Sequence, residues 1–469
     1  IICKAFSALL PDTFQYFGWF ALLSFILQGG LSSLLVKRLV NSNILSFLVT
    51  PIFILSYTVL QRMFYHTALG AQWILLLALF LWLGKRQERS CVKSCVIWAL
   101  MGMLCVLIHS YFVPMVAAIM LTEMIEDAWR NKSIKKLIVT IVSFCFAVIG
   151  SLFLLGAFYQ NASAAGEGIG SFGSNLNTFI NPLGYGTILP ELPLYYHFQY
   201  EGFGYLGVGV LFLLLTVLLI VISRFVQKKL TLASVKEEIG RHQRMILFGG
   251  LFFVFIILAV LPMVTFSDYK IVGIPYPEPI RNIMNVFRSN GRFIWLPAYL
   301  IVLGVLKLLS DLMKQNRKLL TGIIIAAVAL QLIDLSNVIM QKRSYFTTLQ
   351  EYHSIWDIPE MNKVISEYDS ILFLYNENDI IMDTAYYAKE HSLKINNYYY
   401  ARSFDDQINE HIEKSKQEVL QKQGDKKAIY VLRMEDVSQY LQTGLYLYQL
   451  EDHVIAVCQP IEGLIPLKE

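Results

Sequence analysis

The 469 residues are 55% hydrophobic and only 16% charged, with a net charge of +4, and the mean hydropathy is +0.51. A soluble globule of this size needs more polar surface than that, so the composition places the chain in a membrane. The small cationic excess follows from membrane topology and gives no support for nucleic-acid binding.

Apolar runs near 13–36, 43–60, 66–84, 92–108, 110–125, 136–157, 204–223, 245–266, 293–310 and 319–340 predict about ten transmembrane helices. Each approaches the ~20 residues that cross about 30 Å of hydrocarbon. Lys and Arg crowd every second connection: Lys37 and Arg38, then Lys85 to Lys93, Arg130 to Lys136, Arg224 to Arg244, and Lys307 to Lys318. The opposite connections hold only Lys4, Arg62, Lys270, Arg281, Arg288 and Arg292. The positive-inside rule makes the first set cytoplasmic and the second external. The same alternation puts 1–12 outside, and a chain opening there on Ile with no basic flank leads us to expect a further membrane helix upstream.

At the external rim, His66 stands beside Arg62 and Tyr65, where it suits orienting a phosphate or ligating a divalent cation; local hydrogen bonding is the plainer role. His109 and Tyr111 mark a tight external turn. Cys91 and Cys95 have helical spacing without a second ligand pair, so no zinc site is expected.

The first long external loop, 158–203, has no Lys or Arg but carries Glu167, Glu191, Glu201 and His197 among glycines, prolines and aromatics. Long ordered loops of this kind are usually functional. Asn177, Asn181, Gln199 and Tyr200 suit a sugar, because amides address hydroxyls and aromatic faces stack on pyranose rings. Interfacial anchoring accounts equally for the aromatics. Glu201, at the external end of a span, is the first candidate for an acidic role, against a capping role. The sequon at Asn161 has no meaning if the protein is bacterial.

The second loop, 267–292, holds four of the external cations. Helical spacing puts Arg281, Asn285, Arg288 and Arg292 on one face, a row of guanidinium forks suited to a lipid-linked phosphate. Asp268 and Glu278 are possible structural partners, and Arg292 also suits snorkelling at a span start.

Composition changes near residue 341. Strands at 371–375 (ILFLY), 428–432 (AIYVL) and 453–457 (HVIAV) alternate with helices at 382–391, 404–423 and 434–441, which predicts a small α/β domain. No glycine-rich fingerprint follows a strand, so nucleotide binding is unsupported. The expected organisation is an α-helical polytopic membrane domain, 1–344, followed by a small soluble external α/β domain, 345–469.

Several segments together resemble a known family: 11–29 (PDTFQYFGWFALLSFILQG), 66–73 (HTALGAQW), 175–184 (NLNTFINPLG), 199–207 (QYEGFGYLG), 287–295 (FRSNGRFIW) and 394–402 (KINNYYYAR). They are similar to uncharacterised bacterial multi-pass proteins assigned to the GT-C glycosyltransferase superfamily. The resemblance implies an enzyme of the bacterial cytoplasmic membrane that moves a sugar from a polyprenyl-phosphate donor to a glycan, lipid or protein acceptor on the external face. For such an enzyme, Arg281, Arg288 and Arg292 are the candidate donor-phosphate contacts, Asn177, Asn181, Gln199, Tyr200 and His66 are the candidate acceptor or sugar contacts, and a divalent cation stays open. GT-C enzymes usually carry their catalytic carboxylate in the first external loop, which here would precede Ile1. Two other classes stay open: a transporter or flippase of lipid-linked saccharides, and a non-catalytic envelope-assembly subunit. A transporter would carry ionisable residues at mid-span, and Asp334 is the clearest such residue.

Overall fold

The computed structural model describes residues 6–11, 14–84, 89–158, 169–227, 243–348, 353–376, 379–399 and 405–467. The chain divides into two compact units, a helical one that ends at Thr347 and a smaller one that begins at Thr348.

Seven helices among the described residues are long and apolar enough to cross a membrane: Phe17–Val40, Cys91–Ile108, Lys135–Leu154, Val208–Val226, Gln243–Val260, Asn290–Leu312 and Arg317–Thr347. An eighth span results if Asn43–Ile54 and Tyr57–Met63, bent by 45° at a short break, count as one. The expectation of about ten spans is therefore too high. Thr67–Leu83 is too short, and Phe112–Asn131 carries Glu123, Glu126, Asp127 and Arg130 in its final turns, a charge load that hydrocarbon disfavours. The run at 245–266 also overshoots: its helix stops at Val260, just before Pro262, and Met263–Phe266 is a strand (β1). Proline cannot donate the helical hydrogen bond, which explains the stop. β1 pairs antiparallel with Tyr269–Gly273 (β2).

Asn290–Leu312 is the central span. Of its apolar window 72% lies inside the protein, against 17% for Val208–Val226. Outer helices instead expose apolar side chains, such as Phe146, Ile149 and Phe153 on Lys135–Leu154, a surface that lipid would solvate.

The two ends of this bundle differ in chemistry. One end gathers Arg38 over the Phe80 ring, Arg89 on Glu123, Lys136 on Asp127 and Arg244 on the buried Glu126. The opposite end carries Arg62, His66, His109, Glu201 and Arg292 with the segment 169–207.

The smaller unit is a five-stranded mixed sheet in the order β4-β3-β5-β7-β6, with β3 at Ser370–Phe373, β4 at Lys394–Ile395, β5 at Ala428–Arg433, β6 at Tyr446–Leu450 and β7 at His453–Val457. β4, β3 and β5 are parallel, while β7 and β6 run antiparallel. Alternate residues feed two cores: Ile371, Phe373, Ile429 and Val431 pack with helix Ile381–Glu390 on one face, and Ala428, Tyr430 and Leu432 pack with Val419 of helix Asp405–Leu420 on the other. The three strands expected from sequence are present; β4 and β6 add to them. The expected helix at 434–441 is a short helical turn, Val437–Tyr440, flanked by 3-10 turns.

Candidate functional site

Three segments far apart in sequence meet at one buried carboxylate. Arg62 occupies the last turn of Tyr57–Met63, Glu201 lies on the 3-10 turn His197–Gly202, and Arg292 lies on the 3-10 turn Asn290–Ile294. Arg62 donates to Glu201 Oε2 at 2.8 Å and Oε1 at 3.3 Å, and Arg292 Nε donates to Oε2 at 2.7 Å. Exposure is 1% for Arg62, 3% for Glu201 and 7% for Arg292. Burial by itself raises the Glu201 pKa, but the two guanidinium groups outweigh it and hold the carboxyl below its ordinary value. Glu201 is thus ionised with both oxygens engaged, and the cluster keeps a net charge of +1.

Local geometry explains why these residues converge. In 287–295, each polar residue has a separate task. The Ser289 amide donates to the Tyr111 hydroxyl at 2.9 Å. Asn290 Nδ2 donates to the carbonyls of Leu258, Ala259 and Leu261, capping the end of Gln243–Val260. The carbonyls at a helix end otherwise lack partners, so this bond set anchors the segment. A Cβ on Gly291 would meet the Phe172 carbonyl at 2.5 Å and Gly202 Cα at 2.6 Å. That back-to-back glycine contact sets Arg292 and Glu201 side by side.

Around the cluster, Arg292 lies over the Tyr111 ring at 4.5 Å and Arg62 over the Trp295 ring at 5.9 Å. His66 is exposed and stacks on Tyr65. His109 is pushed down to about 4 by burial and then by Arg292, His66 and Arg62, so its imidazole is neutral at physiological pH. Arg62 Nε and Trp295 Nε1 are buried donors without a hydrogen-bond acceptor among the described residues.

The candidate sugar-binding residues divide sharply. Asn181 is consumed by its own loop: Nδ2 donates to the Leu192 carbonyl, and Oδ1 accepts from the amides of Leu183 and Leu192. Gln199 donates to Thr265 and accepts from Asn175, Tyr195 and Tyr196. Asn177 is the contrasting case, 1% exposed with neither amide atom hydrogen-bonded among the described residues. Tyr200 is partly exposed, and its carbonyl accepts from Gln61. Buried amides left unmet are costly, so Asn177 is the one with capacity for a ligand.

The arginine row expected along one helix face is not formed. Helix Glu278–Val286 ends before Arg288; Arg281 is exposed on it, Arg288 lies over the Phe172 ring, and Arg292 turns inward to Glu201. The Ser-Asn-Gly stretch breaks the periodicity, because its backbone is committed to the contacts above. Glu191 and Asp268 are not part of the cluster, while Glu167 and Asn161 lie outside the described residues.

Asp334, the ionisable residue in the middle of Arg317–Thr347, is a structural node. Its carboxylate accepts from the Tyr57 hydroxyl, from the Tyr205 hydroxyl at 2.8 Å, and from the amides of Thr187, Ile188 and Val208. The loop is thereby tied to a span. Among the described residues no three His, Cys, Asp or Glu side chains converge as a metal site would require.

A family model described as a domain of unknown function (DUF6311) matches residues 1–336, and the model for its C-terminal domain matches 360–460. The chain belongs to the DUF6311 family. Arg62, Glu201, Arg292 and Asp334 all fall within the DUF6311 match, and the mixed sheet falls within the C-terminal one. No curated protein and no solved structure matches the chain significantly.

Sequence reading missed Arg62 as the principal partner of Glu201. The available signal was an arginine in an apolar run on the side where topology disfavours cations.

Proposed function

We propose that this chain is a GT-C-type membrane glycosyltransferase that moves a sugar from a polyprenyl-phosphate donor to an envelope acceptor on the external face of the bacterial cytoplasmic membrane. The observation that carries the reading is the desolvated, net-positive Arg62–Glu201–Arg292 cluster with its unmet donors at Arg62 Nε and Trp295 Nε1. Fixed cations in a low-dielectric site stabilise a departing phosphate without reorganisation. Arg62 and Arg292 fill that role here; Glu201 positions them, and Asn177 addresses a sugar hydroxyl. Arg281 and Arg288 meet the donor headgroup nearer the rim. On this reading the C-terminal unit is external.

Purified protein in proteoliposomes with radiolabelled polyprenyl-phosphate hexose or pentose, supplied with an envelope glycan extract whose hydroxyls accept the sugar, tests the reading. Release of polyprenyl phosphate is expected, with at least a hundredfold loss in Arg292→Met at retained folding, on the order of the loss when one transition-state donor is removed. Turnover unchanged by Arg292→Met, or donor translocation without cleavage, overturns it.

A further inference from the structure

The C-terminal unit contains a second polar site, built by its own topology. From β3 the chain leaves through helix Ile381–Glu390 on one face of the sheet. From β5 it leaves through Val437–Tyr440, whose Tyr440 packs on the other face. The exits diverge between two adjacent parallel strands. Such a divergence opens a crevice beyond the carboxyl ends of the strands, where open α/β sheets bind their ligands.

The residues at that edge are unusually uniform in chemistry. Tyr375 and Asn376 follow β3, Asn396 and Asn397 follow β4, and Arg433 ends β5. Asn376 Nδ2 donates to Asn409 Oδ1 at 2.6 Å, and Asn397 Nδ2 reaches Asn376 Oδ1 at 3.5 Å. This amide chain leaves Asn409 Nδ2 and Asn397 Oδ1 with bonding capacity among the described residues. Arg433 lies over the Tyr375 ring at 5.2 Å, and His453 stacks on the same ring while its Nε2 meets Asp379 at 2.8 Å. Tyr398 and Tyr399, 37% and 52% exposed, continue the edge.

We infer that the carboxyl edge of β4, β3 and β5 is a binding site for an oligosaccharide. Amides that donate and accept, beside exposed flat rings, meet the two demands of a sugar: paired hydroxyl contacts and a stacking face. A phosphate ligand fits poorly, because the turn after β3 reads Leu374-Tyr375-Asn376 with no glycine for close backbone approach. The site does not rest on the transferase reading, since it binds sugar whether or not the helical unit transfers one.

Full-length protein in nanodiscs, titrated with fluorescently labelled hexasaccharides of β-1,4-glucan, α-1,4-glucan, β-1,4-mannan and β-1,4-N-acetylglucosamine, tests the inference. At least one is expected to bind at millimolar concentration or below. Tyr399→Ala weakens it about threefold to tenfold, the range of one aromatic contact. Asn376→Ala, exposed and remote from both cores, weakens it comparably. Tyr386→Ala, which removes an exposed ring away from the edge, leaves it unchanged. Circular dichroism and thermal midpoints establish that each variant is folded. No binding by any of the four sugars overturns the site, as do equal affinities in all variants or displacement by inorganic phosphate. Donor turnover in proteoliposomes is read separately, so loss of the transferase reading leaves this result standing.

Discussion

Replacing Glu201 by Gln is expected to destabilise the helical unit more than removing either arginine. The substitution preserves volume but leaves Arg62 and Arg292 buried together without a counter-ion. Unit charges about 4 Å apart interact with roughly 4 kcal/mol at an effective dielectric near 20. Glu201→Gln removes two such attractions and exposes the Arg62–Arg292 repulsion, whereas Arg292→Met removes one attraction together with that repulsion and leaves the 2.8 Å Arg62–Glu201 pair. Breaking a buried pair typically costs about 3–5 kcal/mol, so Glu201→Gln belongs at the top of that range or above it, and Arg292→Met below it, because Glu201 keeps Arg62. The double variant Arg292→Met with Glu201→Gln recovers part of the loss, because only one cation is then stranded. Unfolding across a series of SDS fractions in mixed micelles, followed by tryptophan fluorescence, measures the three variants and the coupling between them. If Arg292→Met costs as much as Glu201→Gln, the net-charge reasoning fails and the cluster is held by packing rather than by its ions.

Three further outcomes are expected. Asp334→Ala strips one acceptor from two hydroxyls and three amides; at about 1 kcal/mol or more for each buried group left unmet, it loosens the 185–208 segment, measured as faster limited proteolysis there with the C-terminal unit unaffected. Stability falls with acidity in two successive steps. His109, ordinary value 6.5 and held at about 4 in the folded chain, is protonated first in the unfolded state, so its contribution is complete above pH 6.5 and lost as pH drops towards 4, while that of Glu201 is lost only as pH falls below 4.5; unfolding midpoints against pH for His109→Gln lose the first slope and keep the second. Gly291→Ala forces its Cβ against backbone at 2.5 Å and 2.6 Å, separating Arg292 from Glu201; it is expected to lower the unfolding midpoint and abolish the extra cost of Glu201→Gln, read by the same SDS series.

Membership in a membrane, the polar loop between 169 and 207, and the strands at 371, 428 and 453 were legible from residues in order, because burial in lipid or in a sheet imposes local apolar runs and periods. The motifs at 66–73, 199–207 and 287–295 were also visible, and their residues do meet at one end of the bundle. Their roles were not visible. Arg62 and Glu201 are separated by 139 positions and Arg292 and Glu201 by 91, and no local pattern specifies which charges share a desolvated site. Spacing by itself aligned Arg281, Arg288 and Arg292 on a helix, but capping by Asn290 and the glycine contact made breaking that helix favourable. Likewise Asn177, Asn181 and Gln199 are equivalent amides on paper, and only packing consumed two of them and left the third unmet. The span count was overestimated for the same reason: hydropathy measures the affinity of a segment for lipid, while the break before Tyr57 and the ion pairs on Phe112–Asn131 are settled by neighbouring helices. Sequence determined the solvent of each segment; tertiary structure decided which polar groups satisfy one another, because that choice is made across the bundle and not along the chain.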